Sequence, residues 1–275
     1  DLEKKITKKT RAIMLINVLG ISSDLFKIKK IADKKKIIII EDNCESLGST
    51  LKKKYLGTFG DYGSFSFYYS HQITSGEGGM VTCNKKEDYD ILFALRSHGW
   101  LGGTRFYKRN LKSYNTYANQ NPKLDPRYIF INSGFNLRPT DIQAAIAHNQ
   151  FKRLDTLKKF RNINKNLIIE KISNSQKWKS QFKFIVTPKD IDPSWMGLPI
   201  LLSEKYIKKK QKFVNFLDNQ GIETRPIISG NFANQPAAKL YKLCKKNEKF
   251  ENAQKVQELG FLIGLHTKKL SKKNL

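Results

Sequence analysis

Cysteine is scarce and dispersed. Cys44, Cys83 and Cys244 are the only three in 275 residues, and no two form a C-x-x-C pair. That spacing argues against a disulfide framework or a local zinc site and fits a reducing, cytoplasmic setting. Long apolar runs are also missing. No stretch approaches the ~18 residues a membrane-spanning helix needs, so no membrane span is expected. The opening Asp1-Leu2-Glu3-Lys4-Lys5 lacks the apolar core of a secretory leader. Acidic residues are few, 24 Asp and Glu against 51 Lys and Arg, giving a formal net charge of +27.

Such a charge opens two readings, a nucleic-acid or membrane-surface binder and a lysine-rich solvated surface. The second is favoured. The lysines fall in short runs scattered along the chain, such as Lys34-Lys35-Lys36, Lys52-Lys53-Lys54 and Lys208-Lys209-Lys210, with no basic helix carrying interleaved aromatics. A basic surface also attracts small anionic ligands. One window is the exception. Tyr55 to Asn84 contains no Lys or Arg, although 51 in 275 would put about 5.6 in any 30 residues. Buried strand and tight turn would exclude lysine there, but burial alone does not account for the polar triplet Ser70-His71-Gln72 inside an aromatic run.

The chain is long enough for a sizeable core and for one large and one small domain, and its hydrophobic content of 39% is that of a globular protein. Ala12 to Val18 predicts a buried strand. Ser23 or Asp24 caps a helix running to about Lys34, and Ile37-Ile38-Ile39-Ile40 predicts a parallel strand covered on both faces. Strand, helix and strand in this order make a βαβ unit and an α/β architecture. Further strands are expected over Phe65, Phe67 and Tyr69, and over Met80-Val81-Thr82-Cys83, with a helix from Glu87 to Arg96. Residues 99–132, with Gly102-Gly103, Asn115, Asn119, Asn121, Pro122 and Pro126, predict a long irregular loop. Pro139-Thr140-Asp141 opens a long helix with Ile142, Ala145, Ile146, Phe151 and Leu154 as its apolar stripe. The expected division is 1–164, belonging to a large domain, and 165–275, a smaller α/β domain with a helix from Glu204 to Asn219 closed by Gly221.

Several segments carry chemistry. Asp42 sits at the carboxyl end of the Ile37–Ile40 strand, where open parallel sheets bind ligands, although an isolated Asp there also serves as a turn cap. Glu41-Asp42-Asn43-Cys44-Glu45-Ser46-Leu47-Gly48, Gly60-Asp61-Tyr62-Gly63-Ser64-Phe65-Ser66-Phe67 and Ser70-His71-Gln72-Ile73-Thr74-Ser75-Gly76-Glu77-Gly78-Gly79 follow one another, and Gly134-Phe135-Asn136-Leu137-Arg138-Pro139 comes later. Together they resemble the DegT/StrS-type sugar aminotransferases, fold-type I enzymes that use pyridoxal phosphate (PLP). Most members have a lysine at the position of His71 and hold the cofactor through it as an imine. An imidazole cannot do that but can move protons. The resemblance narrows to the pyridoxamine phosphate (PMP)-dependent sugar 3-dehydratases, and Gly221-Ile222-Glu223-Thr224-Arg225-Pro226, Asn231-Phe232, Gln235-Pro236 and Gly260-Phe261-Leu262-Ile263-Gly264 look like that branch too. Leu265-His266 departs from its usual Asn-His. Ile6-Thr7-Lys8-Lys9-Thr10-Arg11-Ala12-Ile13 resembles a segment preceded in the family by several elements, so the chain is expected to be a fragment lacking about the first third.

The resemblance implies a role for each matching residue. His71 is the catalytic acid-base. Asp42 faces the pyridine nitrogen and keeps it protonated, Glu45 lies near the ring hydroxyl, and Ser66 binds the cofactor phosphate. Asn136 reaches the phosphate in a neighbouring subunit, which implies a homodimer. The implied reaction removes the C3 hydroxyl of a nucleotide-linked 4-keto-6-deoxyhexose in 3,6-dideoxysugar (O-antigen lipopolysaccharide) biosynthesis, with PMP as cofactor and glutamate as amino donor. A cluster-bearing group in this branch uses [2Fe-2S] centres, which need four clustered cysteines. Three dispersed ones place the chain in the cluster-free group, with no metal. The rivals are a sugar-nucleotide aminotransferase of the same family and, from another class, a non-catalytic basic nucleic-acid-binding protein.

Overall fold

The first helix begins where a side chain is available to cap it. Asp24 accepts a hydrogen bond from the Lys27 N–H at 3.1 Å, and α1 (Leu25–Lys35) follows, with Leu25 and Ala32 turned inward. The structure, a computed structural model, describes residues 1–101, 111–245 and 248–271. The chain divides into two units. One holds Asp1–Val18, Ser22–Leu47 and Lys54–Lys152, and the other Leu19–Ile21, Gly48–Lys53 and the chain from Arg153 onward. The boundary expected at 164/165 falls inside the helix Leu154–Ser173.

The first unit is built on a four-stranded sheet. β1 (Ala12–Ile16), β2 (Ile38–Asp42) and β3 (Tyr62–Ser66) run parallel in that order, and β4 (Gly79–Cys83) pairs antiparallel with β3. The βαβ expectation holds for β1, α1 and β2. The two faces of the sheet differ. Ile13 and Ile39 lie under Ala32 and Ile28 of α1. On the other face, the register row Met14, Ile40 and Tyr62 is followed by Ile16, Asp42 and Ser64. There Met14 is 62% exposed, Ile16 56% and Ile38 43%. The expectation that Ile37–Ile40 is covered on both faces is therefore corrected: α1 covers one face, and the face carrying Asp42 is open in this chain.

Two further expectations change. The alternation expected through Tyr69 stops at Ser66, because Phe67 closes a turn, donating to the Gly78 carbonyl and accepting from the Ser75 N–H, both at 2.9 Å. The loop expected over 99–132 contains α3 (Leu111–Gln120), which follows α2 (Lys86–Leu95). Asn inside a helix costs only ~0.7 kcal/mol relative to Ala, and the glycine pair and both prolines fall outside that helix. Residues 102–110 lie outside the described part of the chain. α4 (Asp141–Phe151) starts with a capping box in which Thr140 accepts from the Gln143 N–H and Gln143 accepts from the Thr140 N–H. Of its expected apolar stripe, Ile142 is 73% exposed and Phe151 59%, while Leu154 is buried and starts the next helix.

The second unit opens with α5 (Leu154–Ser173) and packs it near an antiparallel sheet of β5 (Phe182–Phe184), β6 (Gly197–Leu202), β7 (Thr224–Arg225) and β8 (Gly260–Gly264), in the order β7-β8-β6-β5. Trp195, Leu198, Ile200 and Phe261 fill its core. The helix expected from Glu204 begins as a 3₁₀ segment, Glu204–Lys209, and becomes α-helical over Lys210–Asn219. Asn164, wholly buried on α5, pins the end of the chain. Its Nδ2 donates to the His266 and Lys268 carbonyls at 2.9 and 2.8 Å, and its Oδ1 accepts from the Leu270 N–H. His266 Nδ1 accepts from the Lys268 N–H at 3.0 Å, which gives that histidine a place in a turn.

Lys165 is the energetic anomaly of this unit. It is 7% exposed, its Nζ stands over the Trp195 ring at 5.0 Å, and no carboxylate among the described residues pairs with it. Burial lowers the ammonium below its ordinary 10.5. The unfolded chain therefore binds the proton more tightly, and stability rises with pH through the window between the folded value and about 10.5. Lys165→Met, which keeps the volume and removes the charge, should raise the melting temperature by about 2–4 °C at pH 7 and flatten that rise. Calorimetry across pH 7–10 checks both.

Candidate active site

A buried carboxylate builds the floor of the site. Glu41, the penultimate residue of β2, is fully buried. No basic residue lies between Tyr55 and Asn84 to neutralise it, and the backbone does so instead. Its Oε1 accepts from the Phe59 and Gly60 N–H groups, both at 2.7 Å. Its Oε2 accepts from the Gly57 N–H at 2.8 Å and the Asn17 amide at 3.2 Å. Gly57 adopts φ +86°, a left-handed conformation that a glycine reaches without strain. Asn17 also donates to Asn43 Oδ1 at 2.7 Å, and its backbone N–H donates to the Asp42 carbonyl at 2.9 Å. The end of β2 is thus locked on both sides of Asp42. Glu41→Gln puts an NH₂ against donors that need an acceptor. It should cost about 3–5 kcal/mol in urea unfolding, the cost of breaking a buried charged network.

Asp42 itself is half-buried on the open face, and its Oδ1 accepts from the Cys44 N–H at 3.0 Å. The following turn is tied to the His71 segment, since the Gln72 side-chain amide donates to the Glu45 carbonyl and Ser46 Oγ donates to the Asn17 carbonyl. His71 is half-buried in a turn closed by its own N–H to the Tyr68 carbonyl at 3.1 Å, with the Tyr68 ring edge-on at 5.7 Å. Burial holds its imidazole below the ordinary 6.5, and the negative charge of Asp42 pulls the other way without cancelling the effect. The imidazole is therefore neutral at pH 7 and able to take a proton. Its Nδ1 is buried without a hydrogen-bond partner, an orphan that a bound group would satisfy.

Ser66 ends β3 opposite Gly79, and its Oγ accepts from the Tyr68 N–H at 3.2 Å, leaving the hydroxyl proton to donate. The glycine turn behind it has Gly76 at φ +83°, and the Gln143 side chain of the α4 capping box donates to the Glu77 carbonyl at 3.0 Å. Asp42, Glu45 and His71 are thus brought together, with Ser66 at the end of the adjacent strand. Asn136 stands apart, exposed and bridged to Ser97. Sequence reasoning gave no role to Glu41, Asn17, Gln72 or Gln143. The signal available for the first was a glutamate at the end of a run of four isoleucines, where burial is expected. Among the described residues no cluster of His, Cys, Asp and Glu could hold a metal ion, and no helix is long and apolar enough to cross a membrane.

A largely parallel sheet, with the Asp42 carboxylate at a strand end and His71 in the loop after the neighbouring strand, has the fold of the PLP-dependent aminotransferase class. The chain belongs to the DegT/DnrJ/EryC1/StrS aminotransferase family, whose profile matches residues 1–274. It is 35% identical over 280 residues to the GDP-4-keto-6-deoxy-D-mannose 3-dehydratase of Yersinia pseudotuberculosis, covering 100% of this chain and 67% of that protein. The solved Escherichia coli GDP-4-keto-6-deoxy-D-mannose-3-dehydratase with bound hydrated PLP superposes with a TM-score of 0.83 at 30% identity, covering 99% of this chain and 67% of the other. A structure of GDP-4-keto-6-deoxymannose-3-dehydratase with a trapped PLP–glutamate geminal diamine gives 0.79 at 28% identity, with 99% and 68% covered. The chain spans about two thirds of the length of the GDP-4-keto-6-deoxy-D-mannose 3-dehydratases of Yersinia pseudotuberculosis and Escherichia coli.

Proposed function

We propose that this chain acts as a PMP-dependent 3-dehydratase on a GDP-linked 4-keto-6-deoxyhexose. The observation that carries the proposal is His71 at the lysine position, neutral, with an unsatisfied Nδ1 and within the field of Asp42. PMP, when bound, would supply an amine that joins the C4 ketone and a ring that takes up the electron pair left when the cofactor's C4′ carbon loses its proton, returning it as the C3 oxygen departs with a pair. Asp42 holds the ring nitrogen protonated by its charge. His71 accepts a proton at the reacting carbon and delivers one to the departing C3 oxygen. The Ser66 hydroxyl donates to the phosphate, and Glu45 lines the ring-hydroxyl side. The donor set suits such a group: a carboxylate, Asp42, for the ring nitrogen, a hydroxyl with a free proton, Ser66, for the phosphate, and an imidazole with an unpartnered Nδ1, His71, for the reacting carbon.

Asn136 lies at the surface between Phe135, 62% exposed, and Leu137, 67% exposed, close in sequence to the exposed stripe of α4. An unburied apolar strip around a polar residue supports a homodimer in which Asn136 serves the neighbouring copy. Glutamate as the returning amino donor fits the PLP–glutamate species trapped in the related dehydratase. A nucleotide-linked substrate and three dispersed thiols go with a cytoplasmic, cluster-free reaction.

The test supplies the protein with PLP, glutamate and GDP-4-keto-6-deoxy-D-mannose. A nucleotide sugar that has lost its C3 oxygen, formed with one 2-oxoglutarate per turnover, is the expected product. A 4-amino sugar with the C3 hydroxyl intact would replace this reading with the aminotransferase one.

A further inference from the structure

The second unit holds a cavity that the chemistry above does not use. Its volume is about 660 Å³, the size of a small-molecule site. It lies between the end of α5, β5 and α6 (Lys210–Asn219). The walls are aromatic. The Phe182 ring stands 6.1 Å from Trp178 and 5.5 Å from Phe213, and Tyr206 and Phe216 add two more rings. Leu202, 4% exposed, lines it from the core side, and Phe216, 57% exposed, from the solvent side. The charged residues of its lining are Lys177, Lys209 and Lys212, with no Asp or Glu beside them. Among the described residues none of the three is paired with a carboxylate.

We propose that this cavity binds the anion of a long-chain fatty acid, with the chain among the rings and the carboxylate at the lysines. Charge complementarity selects an anion, since three ammonium groups without a counter-charge favour a carboxylate that accepts from them. The apolar walls select its body, because a chain laid against them leaves water. A flat ligand is a poorer match. Trp178 and Phe182 are tilted by 31°, and Phe182 and Phe213 by 37°, so these rings make no parallel-sided slot for a base. Little is left to read a base edge either. Ser175 and Gln181 are the neutral polar residues of the lining. The Gln181 amide already donates to the Lys177 carbonyl at 2.8 Å and accepts from the Lys179 N–H at 2.7 Å. A second copy of this chain, itself at +27, would bring repulsion to the lysines.

The test uses dibromostearate, whose bromines quench a tryptophan they touch. Of the three tryptophans, Trp178 lines the cavity, Trp195 is buried in the core and Trp100 belongs to the first unit. Titration below the micellar concentration should give saturable quenching at one molecule per chain, and Trp178→Phe should remove it. The methyl ester has the same chain and no charge. It should bind about fivefold more weakly, and salt should narrow the gap. Lys209→Gln together with Lys212→Gln should weaken the acid about fivefold and leave the ester within about 1.5-fold. Phe216→Ala, at an exposed position, should weaken acid and ester alike by about fivefold. Quenching that does not saturate, that persists in Trp178→Phe, or that is equal for acid and ester would overturn the site. Displacement of the acid by an equal concentration of GDP would replace the fatty acid with a nucleotide and overturn it too.

Discussion

His71→Lys is expected to trade one chemistry for another. The substituted amine stands where most of the family holds its cofactor, so borohydride treatment of the PLP-loaded variant should leave a covalent adduct on residue 71, detected by peptide mass spectrometry. Dehydration should fall by about 10³-fold or more. A lysine so engaged no longer leaves PMP free, and the loss of a proton-transfer group alone costs about 10²–10⁴. The site tolerates the change structurally, because His71 is only half-buried and its side chain holds no other element in place. His71→Asn separates the two effects. It should lose dehydration to a similar degree without forming the adduct. A variant that keeps wild-type dehydration would remove His71 from the mechanism.

Asp42→Asn should slow turnover by about 10²–10³-fold while leaving the unfolding midpoint nearly unchanged. The carboxylate that anchors the fold is Glu41, with its three backbone donors. The contrast between neighbours is itself a test, since Glu41→Gln should lose stability first and Asp42→Asn should lose activity first. The variant should also shift the acid limb of the rate profile downward, because the Asp42 charge is what pulls the His71 imidazole up against its burial. A pH profile of kcat/KM reads that shift.

The parts of the site that were legible in the sequence are those made of side chains in a fixed order. Asp42 follows a run of β-branched residues, and His71 follows a stretch emptied of cations. Both facts are visible without coordinates. The Glu41 network was not legible, because its donors are N–H groups of residues 57, 59 and 60, which no residue type announces. The open face of the sheet was hidden for a different reason. Four isoleucines in a row look alike whether one face or two are covered, and only the pairing of Ile38 with Ala12 and the position of α1 tell them apart. The helix at Leu111–Gln120 was masked by its asparagines, whose low propensity costs too little to prevent a helix. The α4 stripe was legible as apolar, but what covers it was not, since periodicity identifies a face and not its partner.

The most direct test of the central claim is a single turnover. Protein loaded with one equivalent of PMP per site, freed of excess cofactor and of glutamate, is given GDP-4-keto-6-deoxy-D-mannose. The account predicts one equivalent of a nucleotide sugar lacking the C3 oxygen, cofactor recovered as PLP, and no second turnover until glutamate is added. An amino sugar retaining its C3 hydroxyl, or continued dehydration without glutamate, would contradict it.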